Sequence, residues 1–425
     1  MSRMMNLRNC IALLLCVVTS VSCNREMFDE DDYKKIVEQA QPVTNIDASQ
    51  TWELTTDYYI TVETAGVLPG AKRLRVLDGN PAAGQGATVL GDYLLDGEDK
   101  QFVAFSAPTA LTKFYAALVD DDNNYTITAF TPAERAITFD EPVASRVKVD
   151  SRQVGLQAYS YCFEDEMPQP GDYDYNDVVV RISMERTAMN QITLNVSLAA
   201  VGSLSQVAAA MRLINYKYAD IESVTTVDGE NFDKGYKKSA LPYIDSESLL
   251  MEGLNGEAVI NLFEDAHWAT GVVSYTSEGY VPRYKYNVSK TTSSEHDMMS
   301  PRTVSFVVTF KNPVLLNYFT MSMLDLFTIT EYNGALMENH AQYRYKLETV
   351  LHDYVQPTSA LILPWALAVP TSAFRYPLDG VNIGYAKDGA YFGAYMTSGH
   401  AFGQWSANRN TAKDWYNYPN SNMVY

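Results

Sequence analysis

Cysteine and histidine are scarce in this chain, at four and five of its 425 residues. Cys10 and Cys16 fall inside the first 22 residues and only Cys23 and Cys162 follow, so no framework of disulfides staples the fold. The histidines, at 267, 296, 340, 352 and 400, are scattered without ligand spacing, so no zinc pattern is read from them. Basic residues are also few: 32 against 51 acids leaves a net charge of −19. That excludes a nucleic-acid partner, which needs a basic stripe, and equally a polybasic contact with a membrane. Glycine and proline, at 23 and 17, are too few for a low-complexity linker protein. No G-x-S-x-G elbow, H-E-x-x-H helix, P-loop or G-x-G-x-x-G turn occurs. Ser145 to Lys148 fits S-x-x-K, a pattern common by chance, and its partner motifs are missing. What remains is an ordinary globular composition, 47% hydrophobic and rich in tyrosine at 30 residues, long enough for two or three domains of roughly 100–200 residues each.

The first residues give an address. Arg3 and Arg8 precede an apolar run, Ile11 to Val18, that is too short to span a bilayer stably. Ser20, Val21 and Ser22 lead to Cys23. A cysteine directly after a small residue at the end of such a run resembles the lipobox of bacterial lipoproteins, with Ser20 standing where Leu or Val is usual. The alternative is an ordinary secretory signal followed by a chance cysteine. On the lipoprotein reading, residues 1–22 are removed and acylated Cys23 anchors the chain to outer-membrane lipid through several acyl chains. Losing Arg3 and Arg8 leaves 30 basic residues against 51 acids, a mature charge of −21. Asp29, Glu30, Asp31 and Asp32 follow the cysteine closely. Such an acidic stretch resembles a signal for display on the cell exterior in lipoproteins of Bacteroides-like bacteria; a solvated tether without an addressing role is the alternative.

The rest reads as all-β. Residues 23–48 form a tether with a short helix at Asp32 to Ala40, where Tyr33, Ile36, Val37 and Ala40 share a face. Strands are expected at 52–63, 101–106, 113–119 and 125–130, with Asp120 to Asn124 as a hairpin turn whose acids and amides are read as turn residues rather than metal ligands. Residues 49–148 are assigned to one β-sandwich. Residues 149–425 are assigned to a second, with strands at 155–163, 177–184, 191–200, 302–311 and 326–331, and with an aromatic C-terminal cap. Both are expected to be jelly-roll-like. Residues 207–215 are ambiguous between strand and helix, because the alanine-rich pattern has no clear period.

One segment carries chemistry. Residues 163–180 read FEDEMPQPGDYDYNDVVV. Alternate spacing at Asp172, Asp174 and Asn176 places oxygen ligands on one side of a tight loop, with Asp177 next to them. Glu164 and Asp165 precede the loop, and Pro168, Pro170 and Gly171 let the chain double back. Hard oxygens in an irregular loop suit calcium, which takes about six to eight oxygen ligands. Clustered carboxylates repel unless a cation or hydrogen bonds offset them. The other reading is that these side chains cap the turn and bond its amides. The valine run that follows reads as a buried strand, which separates the loop from an EF-hand.

The same phrase resembles the E-D…G-D-x-D-[FY]-N-D-[VL]-V signature of LruC-domain proteins. Pro364-Trp365-Ala366, the Phe374 to Pro377 stretch and Asp414-Trp415-Tyr416 extend the resemblance, which covers about residues 149–425. It implies an exported, surface-associated all-β domain of undefined activity with a calcium loop. That family often has Glu-x-His before a Pro-Thr step; here His352 precedes Pro357-Thr358 but Val350 stands in place of Glu, so His352 is assigned no role.

Two aromatic clusters stand out: Tyr275, Tyr280, Tyr284 and Tyr286, and Trp405, Trp415, Tyr416 and Tyr418. Exposed rings stack on sugars or anchor protein partners, whereas buried ones are core. Together these features describe a non-catalytic, outer-membrane-anchored lipoprotein facing the cell exterior. Its expected cofactor is calcium and its expected role is adhesion, or binding of a glycan or protein ligand. The alternatives are a polysaccharide-processing enzyme and a structural envelope component.

Overall fold

A computed structural model of the chain describes residues 46–47, 49–139, 146–167, 171–237, 243–245, 247–290, 296–342, 351, 363–384 and 399–425. The expected signal, Cys23 and tether helix lie outside the described residues, as do Pro168, Pro170, His352 and Pro357-Thr358.

The first sandwich contains β1 (Thr55–Glu63), β2 (Arg73–Leu77), β3 (Ala87–Leu94), β4 (Lys100–Pro108), β5 (Phe114–Val119), β6 (Asn124–Phe130), β7 (Ala136–Ile137), β8 (Val147–Lys148) and β9 (Val154–Gly155). One sheet runs β4-β1-β7 and the facing sheet runs β8-β6-β5-β2-β3-β9. Period-two alternation builds it: Ile60 and Val62 point inward from β1 and meet Val103, Phe105, Leu74, Val76 and Phe114, while Tyr59 and Glu63 face outward. The turn between β5 and β6 is held by Asp120, whose Oδ1 accepts the N–H groups of Asp122 and Asn124 at 2.9 and 3.0 Å.

The second sandwich contains β10 (Gln157–Phe163), β11 (Val178–Ala188), β12 (Gln191–Ala200), β13 (Ala208–Lys217), β14 (Ile221–Thr226), β15 (Leu250–Glu252), β16 (Glu257–Phe263), β17 (Arg302–Phe310), β18 (Leu324–Tyr332), β19 (Ala335–His340) and β20 (Ala366–Val369). Its sheets are β14-β17-β12-β11-β10-β20 and β15-β16-β13-β18-β19. Two short helices, α1 (Ala266–Ala269) and α2 (Phe402–Ala407), complete the described regular structure apart from 3-10 turns. The protein is thus all-β.

Ile192, Leu194, Val196 and Leu198 of β12 project into the space between these sheets. Each such burial contributes roughly 1.5–3 kcal/mol. The ambiguous stretch 207–215 is strand β13. It lacks a period because both faces are covered: Ala209, Met211 and Leu213 enter the main core, while Ala208 and Ala210 pack on the other face with Phe327 and Ile329. The outer face of the β10–β11 sheet is covered by the C-terminal cap. There Phe374, Phe402, Trp405 and Trp415 pack on Tyr173, Tyr175, Val179 and Leu367, and Trp52 and Leu54 join them from the N-terminal side.

Candidate metal centre

The register of β10 and β11 sets the site. Phe163 pairs with Val178, so the next positions outward, Glu164 and Asp177, stand side by side where the strands separate. The intervening loop returns through Tyr173 and Tyr175, which adopt left-handed backbone angles of φ 55° and 53°. Two such residues, alternating with Asp172, Asp174 and Asn176, sort the loop into two sides. Both tyrosine rings enter the aromatic core beneath the cap. Both tyrosine N–H groups turn onto Glu164: Tyr173 donates to Oε2 at 3.1 Å and Tyr175 to Oε1 at 2.6 Å.

Glu164, Asp172 and Asp174 each bring one carboxylate oxygen within 4.8 Å of the others. Glu164 and Asp174 are buried, and Asp172 lies at the surface. Asp174 accepts the N–H of Gly380 on Oδ2 at 2.7 Å and that of Asn176 on Oδ1 at 3.1 Å. Burial, together with the charge of Asp172, pushes the Asp174 carboxyl up to about 7. Burial and the charges of Asp174 and Asp172 drive Glu164 well above the carboxylate range. Asp172 is raised by burial and by Asp379. These groups raise one another because each would be an anion beside anions in a poorly hydrated place, and a cation there would reverse the effect.

The other three expected ligands lie differently. Asp177 accepts the Asp165 N–H on Oδ2 at 2.9 Å, and Asp165 in turn accepts the hydroxyl of Ser203. Burial and Glu164 raise the Asp177 carboxyl strongly. Asn176 is fully buried; its Nδ2 donates to the Pro377 carbonyl at 3.1 Å, while its Oδ1, tucked against Gly202, has no hydrogen-bond partner among the described residues. A cleft of about 640 Å³ opens beside the loop, walled in part by Asp165, Asp172 and Asp177. Glu166, from within the 163–180 segment, and Glu331, Lys285 and Asp379, from outside it, also wall the cleft. Lys285 pairs with Asp379 at 2.5 Å. The Asp379-Gly380 dipeptide is a turn signal in the sequence, but its place against Asp174 is set by a contact across 206 residues.

A second charged group is buried on the far face of the other sheet. Asp325 Oδ2 accepts hydrogen bonds from Arg212 Nε at 3.0 Å and His340 Nδ1 at 2.7 Å, and His340 Nε2 faces Glu338 at 3.2 Å. Burial opposes charge on His340, but Asp325 and Glu338 outweigh it and raise its pKa to about 9. His340 is therefore an imidazolium held between two carboxylates. Single-residue spacing hid this, because Arg212, Asp325 and His340 come from three strands.

Of the aromatic clusters, Trp405, Trp415, Tyr416 and Tyr286 are buried, while Tyr280, Tyr284 and Tyr418 are exposed and Tyr275 is half-buried against Trp268. Of the C-terminal cluster, Trp405, Trp415 and Tyr416 are core and Tyr418 lies outside.

Two sandwiches joined by an aromatic cap, with a buried carboxylate loop at a strand exit, define an all-β protein with a candidate cation site. The chain belongs to the family described as "Domain of unknown function (DUF4842)", whose model matches residues 188–416. Lys285 and Asp379 fall inside that match, whereas Glu164 to Asp177 precede it. A crystal structure described as a "putative lipoprotein" from Bacteroides ovatus is similar to this chain, at 13% identity and a TM-score of 0.46, covering 84% of this chain and 99% of that one. No curated protein matches the chain.

Proposed function

We propose that this protein is a non-catalytic, lipid-anchored surface protein whose second sandwich is stabilised by calcium and which binds a glycan or protein ligand. The observation that carries the calcium reading is the convergence of Glu164, Asp172 and Asp174 within 4.8 Å. Among the described residues no lysine or arginine forms an ion pair with any of the three; the Lys285 ammonium pairs with Asp379 and acts on Asp172 and Asp174 from farther off. Two buried carboxylates and a third beside them need a cation to be charged together, and an oxygen-only set selects a hard ion. The resemblance of residues 163–180 to the LruC-domain signature agrees with this reading. Asn176 Oδ1, buried beside Gly202 and without a hydrogen-bond partner among the described residues, is a further neutral oxygen next to the loop.

Lipid anchoring rests on the sequence around Cys23, and outer-membrane display on the acids at 29–32. Mass spectrometry of the mature protein tests the anchor: a diacylated Cys23 is expected, and an unmodified terminus elsewhere rejects it. Calorimetric titration of calcium into chelator-stripped protein tests the metal. Saturable binding at one site is expected, and absence of both heat and a melting shift rejects it.

A further inference from the structure

We propose that the groove between the two sandwiches is a binding site for an extended, uncharged oligosaccharide. This deepens the binding role proposed above and rests on that reading.

Two cavities, of about 420 and 360 Å³, share Asp78, Ala110 and Leu111 in their walls; the larger lies between the sandwiches, with Tyr159, Pro370 and Asn417 on its second-sandwich side, and the smaller is lined by the first sandwich alone. They adjoin at those residues, both are in the size range of ligand sites, and the larger occupies a junction between domains, where such sites concentrate. One wall is the turn after β2, running from Asp78 through Asn80 to Gly86. The larger cavity is walled on its second-sandwich side by Pro370 to Ala373, directly after β20, with Asn417 beside it. The floor is fixed by bonds across the junction: Tyr159 and Ser106 share a hydroxyl–hydroxyl contact at 3.0 Å, and Gln157 Nε2 donates to the Ser106 carbonyl at 2.9 Å.

The charge of this lining names the ligand class. The chain as a whole carries 51 acids, and the cleft beside the carboxylate loop has six of them in its walls. The groove has one acid and one base, Asp78 and Lys113. Both are occupied: Asp78 Oδ1 accepts the Thr88 N–H at 2.6 Å, and the Lys113 ammonium stands 5.1 Å from the centre of the Tyr115 ring. An anionic or cationic polymer would leave its charges unmatched there, whereas a neutral one needs only hydrogen-bond partners for its hydroxyls. The other polar side chains, among them Gln85, Thr112, Thr371, Ser372 and Asn417, are amides and hydroxyls. Each can both donate and accept, as a chain of sugar hydroxyls requires. Leu111, Leu156, Tyr115 and Tyr416 supply the apolar surface that sugar C–H faces need. An extended peptide is disfavoured, because at the end of β20 Pro370 lacks an N–H and the Thr371 N–H turns back to the Val369 carbonyl at 2.8 Å. That blunts the edge against strand addition.

The test uses the full mature chain and calorimetry with a panel of neutral oligosaccharides of six or seven sugars, alongside polygalacturonate, heparin and an unstructured peptide mixture. Ala110→Trp fills the point shared by the two cavities, and Ala373→Trp narrows the larger one from its second-sandwich side; both positions are exposed, so at least one variant is expected to fold. At least one neutral oligosaccharide should bind, and each folded variant should weaken it tenfold or more while calcium binding is unchanged. The proposal is overturned if no neutral oligosaccharide binds, if only anionic polymers or peptides bind, or if the tryptophan variants bind as the parent does. Sugar binding that a chelator abolishes and the tryptophans leave intact would place the ligand at the carboxylate cleft, sinking the groove but keeping the binding role. Release of reducing ends with tryptophan-sensitive binding would do the reverse.

Discussion

Glu164 accepts the backbone N–H of Tyr175 at 2.6 Å, joining the last position before the loop to a residue that leads back into the sheet. Because Tyr175 sits in a left-handed conformation, its N–H faces the carboxylate while its ring is buried on the other side. The same bond that shapes the loop also fixes one of the three converging carboxylates, so metal affinity and loop stability are tied together.

Calcium should therefore stabilise the fold. At about 100 times the dissociation constant the gain is about 2.7 kcal/mol. Thermal melts of chelator-stripped protein with and without calcium measure it. Asp174→Asn removes one converging anion and is expected to abolish most of the shift.

Two glycines are confined by their neighbours. A Cβ at Gly171 would fall on Glu164 Oε2, and one at Gly202 would fall on Asn176 Oδ1. Gly202→Ala is expected to cost about 1–3 kcal/mol, the usual range for forcing an atom into a packed site. Urea unfolding measures that cost, and calcium titration of Gly171→Ala should show weakened binding, since the loop must move to clear the Glu164 carboxylate.

His340 gives the stability a pH dependence. Its pKa is 6.5 when free and is raised to about 9 in the fold. A raised histidine adds stability that is complete below pH 6.5 and is lost as pH rises through 9. The span corresponds to roughly 3 kcal/mol. His340→Gln should flatten unfolding curves over that window, and it should cost roughly 3–5 kcal/mol at neutral pH by removing one of the cations held against the buried carboxylates.

The C-terminal cap should behave as core. Trp415, fully buried with Phe402 4.9 Å away edge-on, is expected to cost about 3–5 kcal/mol when changed to alanine. Tyr280, exposed at 54%, should cost no more than about 0.5 kcal/mol. Denaturant midpoints of the two variants separate the roles of the two tyrosine-rich and tryptophan-rich regions.

Strands with one covered face were readable from the chain. Ile192 to Leu198 and Val304 to Phe310 alternate in sequence and in burial alike. Strand β13 was not readable, since burial on both faces erases the alternation that marks a strand. The β18–β19 hairpin carried a signal in Asn333-Gly334, whose two positive φ angles suit a tight turn. The apolar pattern of β19 is too short to mark the second strand by itself. Within the site, the crowding of acids between 164 and 177 was visible as composition, but which oxygens converge was not.

By itself the sequence determined the β periodicity, the absence of a disulfide framework, the excess of acid and the position of the carboxylate loop. These are local properties, fixed by residue type and by neighbours a few positions away. Only the tertiary structure decided that Gly380 bonds Asp174, that Arg212, Asp325 and His340 share one buried network, and that the late tryptophans face inward. Each of those depends on strand pairing between segments far apart in the chain, where register and the covering of a second face, rather than local preference, choose the partner.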